Sequence, residues 1–522
     1  LGPPFVPAQT RLAASVVLAR RNLDSGLLEA FWVRRGAELR FAGGFYAFPG
    51  GRVDAADFAL PVQSKAPLSD DERASIAAAA RELFEETGVL PVANASRVPV
   101  DERSRARTLL TARPEKGKKD SSAHLFAELL ARHDLKVDAD RFVPAGRWIT
   151  PPSVATRFDT RFYLHEVDAN EVAVVWPGEL ADGEWITPEN ALARWESGAA
   201  LLHPPAWHTL RSLSLAHSRG DLREAIPLLQ DPSRAPWKLP IEDFVVERME
   251  FQRGIVIVPL RTPTLFPATH TNCLLLGDES LLVVDPGSPW AGEQQILRSA
   301  LDRLEDEGRK AKAILLTHYH YDHVAGAMAL SAERGLPILA HAETAARLEG
   351  EVRVDRLVAD DEELQFGPRG FRALHLPGHT RGHLCLLEKT SGTVIAGDLV
   401  AGQSTVVIDP PEGDMADYLA SLERLLGMSP QTIYPAHGQV VPGGEAMLRG
   451  YVKHRLEREA KVLAALRDRG APSTPEDLVP GAYPEIKPEL YPLAERSLLA
   501  HLLKLVKDGK VRLDTARRFQ IV

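Results

Sequence analysis

The stretch that decides the fold is Ala313-Ile-Leu-Leu-Thr317-His318-Tyr319-His320-Tyr321-Asp322-His323. Its opening run is apolar and β-rich, and the histidines follow at the end of that strand. Side chains alternate along an extended chain, so His318 and His320 point the same way. Asp322 and His323 open a helix that continues Val324-Ala-Gly-Ala-Met-Ala, where adjacent side chains diverge. One pair can therefore hold a first ion while the other pair serves a second. Neutral imidazoles and carboxylates around an open water position are what zinc-dependent hydrolysis requires. A lone histidine is usually structural, but three histidines and an aspartate behind one strand form a ligand set.

Outward from this stretch, residues 246–445 alternate short strands with helical runs, with strands expected at 271–276, 280–285, 313–317, 384–388 and 393–396. Further residues suited to a metal site come in order: Val283-Val-Asp285-Pro-Gly287, Pro377-Gly-His379-Thr380, Gly397-Asp398 and Pro435-Ala-His437-Gly438. The series resembles the metallo-β-lactamase superfamily, whose signature is HxHxDH. The resemblance implies an αββα sandwich in which His318, His320 and His379 hold one Zn²⁺. It implies that Asp322, His323 and His437 hold the other, that Asp398 bridges both, and that Asp285 supports the histidine loop. Asp322 is then the group that orients the attacking water or takes its proton. His341, His375 and His383 read as supporting or core residues, with His341 the nearest of them to substrate.

The tail, 446–522, is mostly helical, with helices expected at 447–469 and 494–508 and a strand at 510–513. Helices followed by a short strand pair suggest a winged helix. Tyr451-Val-Lys-His454-Arg455-Leu-Glu-Arg458-Glu459, together with Gly397-Asp398-Leu-Val-Ala-Gly402-Gln-Ser-Thr405, is similar to the lactamase-β-like protein 2 type. That resemblance spans roughly 250–522. Its members include a single-strand-selective endoribonuclease and fungal thioesterases that release polyketides from a carrier protein, so it implies hydrolysis without naming the bond. Residues 449–522 hold 15 Lys and Arg against 10 Asp and Glu, a tail of about +5 in a chain of net charge −9. Such asymmetry suits a polyanion such as single-stranded RNA, and equally suits a solvated helical domain.

A second cluster lies upstream, in Arg81-Glu82-Leu-Phe-Glu85-Glu86-Thr87-Gly88-Val89. On a helix expected over Asp70–Thr87, Glu82, Glu85 and Glu86 share one face. Carboxylates so placed repel one another unless a hard cation, Mg²⁺ or Mn²⁺, neutralises them. With Phe48-Pro49-Gly50-Gly51 upstream, the pattern resembles the Nudix box REUxEExGU. Its spacing departs from the usual one: a long insertion intervenes, and the position eight before Arg81 is Arg73, with Glu72 beside it. Arg147-Trp-Ile-Thr-Pro-Pro152, Arg157-Phe-Asp-Thr-Arg-Phe162 and Gly183-Glu184-Trp185 add a likeness to the Nudix branch of peroxisomal acyl-CoA diphosphatases, over about 10–215. This implies an α/β/α sandwich cleaving nucleoside diphosphate linkages, with Glu85 and Glu86 serving metal and water, and Glu179 or Glu184 giving a further carboxylate. Strands are expected at 13–19, 28–33, 161–164 and 172–176, and an exposed loop at 115–120.

The fold class is thus α/β multidomain: a Nudix-like domain over 1–225, a linker over 226–245, a metallo-β-lactamase domain over 246–445 and a winged helix over 446–522. A composition of 44% hydrophobic and 25% charged residues is that of a globular protein. No apolar run reaches the roughly 18 residues that span a bilayer. Cys273 and Cys385 sit in apolar runs and read as buried thiols, so cytoplasm is the expected compartment. Three readings follow. One is a bifunctional hydrolase of CoA-type thioesters and diphosphates. Another is a nuclease with a nucleotide-binding or nucleotide-cleaving Nudix domain. The last has the Nudix part as a purely regulatory ligand module.

Overall fold

The computed structural model describes all residues except 1–6, 38, 40–41, 112–121, 153, 155, 177, 218–221, 231–240, 243–244, 247–248 and 403–404. The charged run at 115–120 and residues 231–240 and 243–244 of the linker expected over 226–245 lie outside the described residues. The first residues of that linker instead form the helix Ile226–Gln230, whose Leu229 is buried in the first unit's core. The chain divides into two compact units, one ending at Arg253 and one spanning Gly254–Val522.

In the first unit, strand Thr10–Arg21 is the centre of a mixed sheet. It runs parallel to Arg157–Glu166, in register from Thr10↔Arg157 to Ala19↔Glu166, and antiparallel to Leu28–Arg35. Both faces are covered. Val16 and Leu18 pack with Leu83 and Phe84 of helix Asp70–Thr87, while Val17 and Ala19 pack with Leu192 and Leu210 of helices on the other side. A period of two thus feeds two cores and makes the α/β/α layering. Each fully buried large side chain contributes ~1.5–3 kcal/mol. Exposed ion pairs such as Arg34–Asp182 contribute ~0–1 kcal/mol, so burial decides the fold.

Helix Asp70–Thr87 begins with a capping box between Ser69 and Glu72 and ends at Gly88, which is left-handed at φ 79°. One expectation changes here. Residues 172–176 form no strand: Val174 donates its N–H to the Thr87 carbonyl at the helix end, and Val172 and Val174 are exposed. The strand paired with Leu28–Arg35 on that side is the polar segment Leu180–Ile186, whose composition hid it. The polar region 91–140 also contains two helices, Val100–Thr111 and Ser122–Arg132.

In the second unit, one sheet carries Ile255–Arg261, His270–Leu276, Ser280–Val284, Lys310–Leu316, Ile338–Ala340 and Arg356–Leu357 in that order. The other carries Glu363–Phe366, Arg369–His375, Leu384–Glu388, Thr393–Gly397, Thr432–Pro435 and Val441–Pro442. The central strands, such as His270–Leu276, Leu384–Glu388 and Thr393–Gly397, are apolar and buried on both faces, as covered sheets require. Ser280–Val284, Lys310–Leu316 and Ile338–Ala340 run parallel, so Asp285, His318 and His341 emerge at one edge. Thr393–Gly397 and Thr432–Pro435 are likewise parallel and deliver Asp398 and His437 together. Backbone bonds from Leu384 N–H to the Thr317 carbonyl (2.9 Å) and from Asn272 N–H to the Ala436 carbonyl (2.7 Å) join the two sheets at that edge.

The tail packs Gly444–Arg469, Pro475–Ala482 and Tyr491–Lys507 around Val462, Leu478, Leu498 and Phe519, followed by the strand pair Val511–Leu513 and Phe519–Ile521. Cys273 and Cys385 are buried free thiols. Among the described residues no helix is long and apolar enough to cross a membrane.

His165 and His208 are buried in the first unit and bonded through one ring nitrogen to the carbonyls of Arg141 and Leu228. Burial pushes each down to about 4. An unfolded chain would protonate them near pH 6.5. Their contribution to stability is therefore complete above that pH and declines as pH falls toward 4. In an NMR titration of histidine ring protons, both should remain neutral at pH 5; a midpoint above 6 for either would contradict this.

Candidate metal sites

At the shared sheet edge, the chain reverses from strand into His318-Tyr-His320 and the short helix Tyr321–Val324. His320 Nδ1 stands 3.0 Å from His318 Nε2 and 3.0 Å from His379 Nε2. His379 Nε2 is 3.6 Å from Asp398 Oδ2. His437 Nε2 lies 3.4 Å from both Asp322 Oδ2 and Asp398 Oδ1, and His323 Nε2 is 3.7 Å from Asp398 Oδ1. The structure thus brings together all seven residues read from the motif series. They form two groups, His318–His320–His379–Asp398 and Asp322–His323–His437, and Asp285 forms a third with His318 and His323.

What turns the rings inward is visible behind them. Asp285, buried at 1% exposure, accepts from Thr317 N–H (2.8 Å), Thr317 Oγ1 (2.6 Å) and His323 Nδ1 (2.8 Å). Because the Thr317 hydroxyl donates to Asp285, it accepts from His318 Nδ1 at 3.0 Å. His379 Nδ1 donates to the Val407 carbonyl and His437 Nδ1 to the His270 carbonyl, each at 2.9 Å. Four imidazoles therefore carry a proton on Nδ1, which leaves Nε2 as the nitrogen turned toward the centre. His383 lies behind Asp398 and accepts from its N–H at 3.0 Å. His341 and His375 instead stack on each other, with centroids 3.9 Å apart.

The electrostatics separate the two groups. Burial, reinforced by neighbouring imidazoles, holds His318 well below its usual value and lowers His320 to about 3. Burial also opposes charge on His323 and His437, yet Asp398 and Asp322 overcome it and raise both. Burial works against ionised Asp398 too, but His437 and His323 hold its carboxyl well below the ordinary range. His323 Nε2 and Asp398 Oδ1 are buried without a hydrogen-bond partner. Converging lone pairs, buried orphan atoms and hard and borderline donors fit divalent metal ions, to which such a set would otherwise be a net cost.

In the first unit, Glu82, Glu85 and Glu86 line one face of helix Asp70–Thr87 beside the short strand Gly50–Arg52. Glu86 accepts from Gly50 N–H at 2.9 Å. A Cβ on Gly51 would stand 2.4 Å from the Glu82 carboxylate, so a side chain here would displace that carboxylate. Burial, with mutual repulsion, raises all three: Glu85 to about 7, and Glu86 well above the usual range. Arg81 reaches Glu82 at 2.7 Å and Glu85 at 3.3 Å. Of the two further carboxylates considered, Glu179 pairs with Arg35 and adds to the repulsion at Glu82 and Glu86. Glu184 is engaged by Arg194 and Trp32.

The spacing anomaly of the box has a structural answer. Glu72 belongs to the capping box, and Arg73 reaches the Val62 carbonyl. The residue that clamps Arg81 is Asp57, fully buried, with both oxygens 2.9 Å from the guanidinium. It was missed because the long insertion falls after it; an acidic residue soon after Gly51 was the available signal.

Sheets that open onto histidines and carboxylates at one edge of the second unit, together with a glutamate-faced helix in the first, define a hydrolase with two candidate metal centres. Residues 267–437 match the family model of the metallo-beta-lactamase superfamily, 474–518 that of the beta-lactamase associated winged helix domain, and 9–163 that of the NUDIX domain. A beta-lactamase-like protein 2 homolog of Drosophila melanogaster is 30% identical over 263 residues, covering 48% of this chain and 87% of that protein. An atrochrysone carboxyl ACP thioesterase of Aspergillus chevalieri is 29% identical over 272 residues, covering 50% and 83% respectively. A solved NUDIX hydrolase from Alicyclobacillus acidocaldarius is 28% identical, with a TM-score of 0.35, over 43% of this chain and 98% of its own. The chain belongs to the metallo-beta-lactamase superfamily, in the company of the beta-lactamase-like protein 2 homologs, and carries a NUDIX domain ahead of it.

Two outcomes follow. Asp285→Asn should weaken metal binding by about 10–100-fold in a chelator competition, because it disturbs the acceptor that sets two imidazoles. Asp57→Ala leaves a buried guanidinium short of its counter-ion and should cost roughly 3–5 kcal/mol in denaturant unfolding of the first unit.

Proposed function

We propose that the chain is a bifunctional metal-dependent hydrolase acting on CoA-type substrates, with a thioester cleaved in the second unit and a diphosphate linkage in the first. The observation that carries the reading is the convergence of His318, His320 and His379 ring nitrogens within 3.0 Å steps, next to the orphaned His323 Nε2 and Asp398 Oδ1. In this reading His318, His320 and His379 would hold one Zn²⁺ and Asp322, His323 and His437 the other, with Asp398 available to both. Bound zinc would lower the pKa of a water toward neutrality and polarise the substrate carbonyl.

The chain's own residues do the rest. Asp322, whose Oδ2 faces His437 Nε2 at 3.4 Å, orients the water and accepts its proton. Asp285, Thr317 and the Val407 and His270 carbonyls keep each ring in the tautomer that leaves its ligating nitrogen bare. In the first unit, Glu82, Glu85 and Glu86 hold Mg²⁺ or Mn²⁺, which supplies the charge their raised pKa values call for. Glu85 and Glu86 there activate the water. The thioester assignment is supported by relatives named as acyl-carrier-protein thioesterases. Buried free thiols at Cys273 and Cys385 fit a cytoplasmic setting.

The assay is a panel of acyl-CoAs, free CoA, dinucleotides and single-stranded RNA against the zinc- and magnesium-loaded protein. His318→Ala should abolish thioester cleavage and spare diphosphate cleavage, and Glu85→Gln should do the reverse. RNA cleavage lost with His318→Ala, and no thioester turnover, would replace this substrate assignment with the nuclease reading.

A further inference from the structure

The long helix Gly444–Arg469 enters the winged-helix tail, but its first half lies against the loops of the metal site. Tyr451 is the first contact. Its hydroxyl donates to the Ala401 carbonyl and accepts from the Ala401 N–H, each at 2.9 Å. The next residue, Gly402, donates to the carbonyl of His437 at 2.7 Å. One turn further along the helix, Arg455, only 3% exposed, donates to the Val406 carbonyl. Val407 supplies the carbonyl that accepts from His379 Nδ1.

The same guanidinium lies over the ring of Tyr418, 5.2 Å from its centroid. Tyr418 donates to the Leu399 carbonyl at 2.7 Å, next to Asp398. The helix Met415–Leu426 that carries Tyr418 presses so closely on Gly378 that a Cβ there would stand 2.3 Å from Tyr418 Cα. Tyr451 and Arg455 therefore reach, through one intermediate each, the segments that set Asp398, His379 and His437.

We propose that Tyr451 and Arg455 are positioning residues of the zinc site, so that the tail's first helix is part of the metal centre's support rather than an appended module. This rests on the zinc reading above. The physical argument is one of geometry held by donors. A ligand ring aims correctly only while the carbonyl behind it stays in place. The carbonyls of Val406 and Val407, on successive peptides, accept from Arg455 and His379, so this short segment is held by both side chains. Removing the guanidinium frees one side and lets the His379 ring rotate off axis. Tyr451 acts at the other loop by fixing both polar groups of Ala401, with no charge involved.

Arg458 provides the internal comparison. It is also buried on this helix, bonded to the Ala482 carbonyl and Glu485 and stacked over Tyr483 at 4.0 Å, but its contacts stay within the tail. A purely structural role for the helix predicts equal effects from both arginines.

The test is Co²⁺ and Zn²⁺ titration of the full chain against a chelator, with thermal unfolding measured on the same samples. Arg455→Met and Tyr451→Phe should weaken metal binding by about 10-fold or more and shift the Co²⁺ visible bands, with Arg455→Lys recovering part of the loss. Arg458→Met should lower thermal stability and leave metal affinity and spectrum within two-fold and unshifted, respectively. Metal affinity unchanged in Tyr451→Phe and Arg455→Met, or reduced equally in Arg458→Met, would overturn the proposal. Should Arg455→Met fail to fold, Tyr451→Phe decides alone, since it removes one hydroxyl. If the parent chain itself takes up neither ion, it is the zinc reading that fails.

Discussion

Five imidazoles and two carboxylates crowd one buried point, and a ring so placed holds its aim when its outer nitrogen is engaged, as it is in four of the five. An unpaired polar atom under cover costs about 1–3 kcal/mol, and more for a charge. The structure meets that constraint with one buried carboxylate, Asp285, which holds Thr317 by backbone and side chain and His323 by its ring. Thr317 passes the constraint on to His318. The two edges of the sandwich meet where Asn272 and Leu384 bond across from one sheet to the other. Ring orientation, strand pairing and loop position are thus one connected problem, and the parallel strands that deliver the residues to a single edge are its solution.

The two candidate centres solve like-charge crowding differently. In the second unit the donors closest together are mostly neutral: burial keeps His318 and His320 unprotonated, and anionic charge is confined to Asp398 and Asp322. Such a mixed nitrogen and oxygen set suits a borderline ion. In the first unit the donors are all carboxylates, raised by burial and by one another, with Arg81 offsetting part of the repulsion. Oxygen donors of that kind suit a hard, strongly hydrated ion. The chemistry of each unit follows from which residue type its helix or loop presents.

Much of this was legible in sequence because the decisive groups are local. His318 to His323 are contiguous, Glu82 to Glu86 share a helix face, and the later ligands each follow an apolar strand. What escaped was either polar or remote. Leu180–Ile186 lacks an apolar pattern and yet is a sheet strand, whereas Val172 and Val174 have the pattern and lie exposed. Asp57 was hidden by an insertion, although folding returns it to Arg81. Tyr451 and Arg455 look like ordinary members of a long charged helix, and nothing local marks the loops they hold. Periodicity reports burial; it does not report which distant carbonyl a buried donor will find.

A consequence concerns how stability and chemistry are coupled in the second unit. Asp398 raises His323 and His437 above the ordinary imidazole range, and the two rings in turn hold its carboxyl low. A divalent cation supplies the same compensation and returns both rings to the neutral form, so metal uptake and proton release are linked. Asp398 is central to that exchange, since both His323 and His437 face its Oδ1. The surrounding contacts, from Asp285 on one sheet to Tyr418 on the helix behind the other, hold the ring nitrogens and carboxylates where either proton or metal can satisfy them. The fold therefore specifies the positions of the donors, and the ion relieves the electrostatic cost of having placed them there.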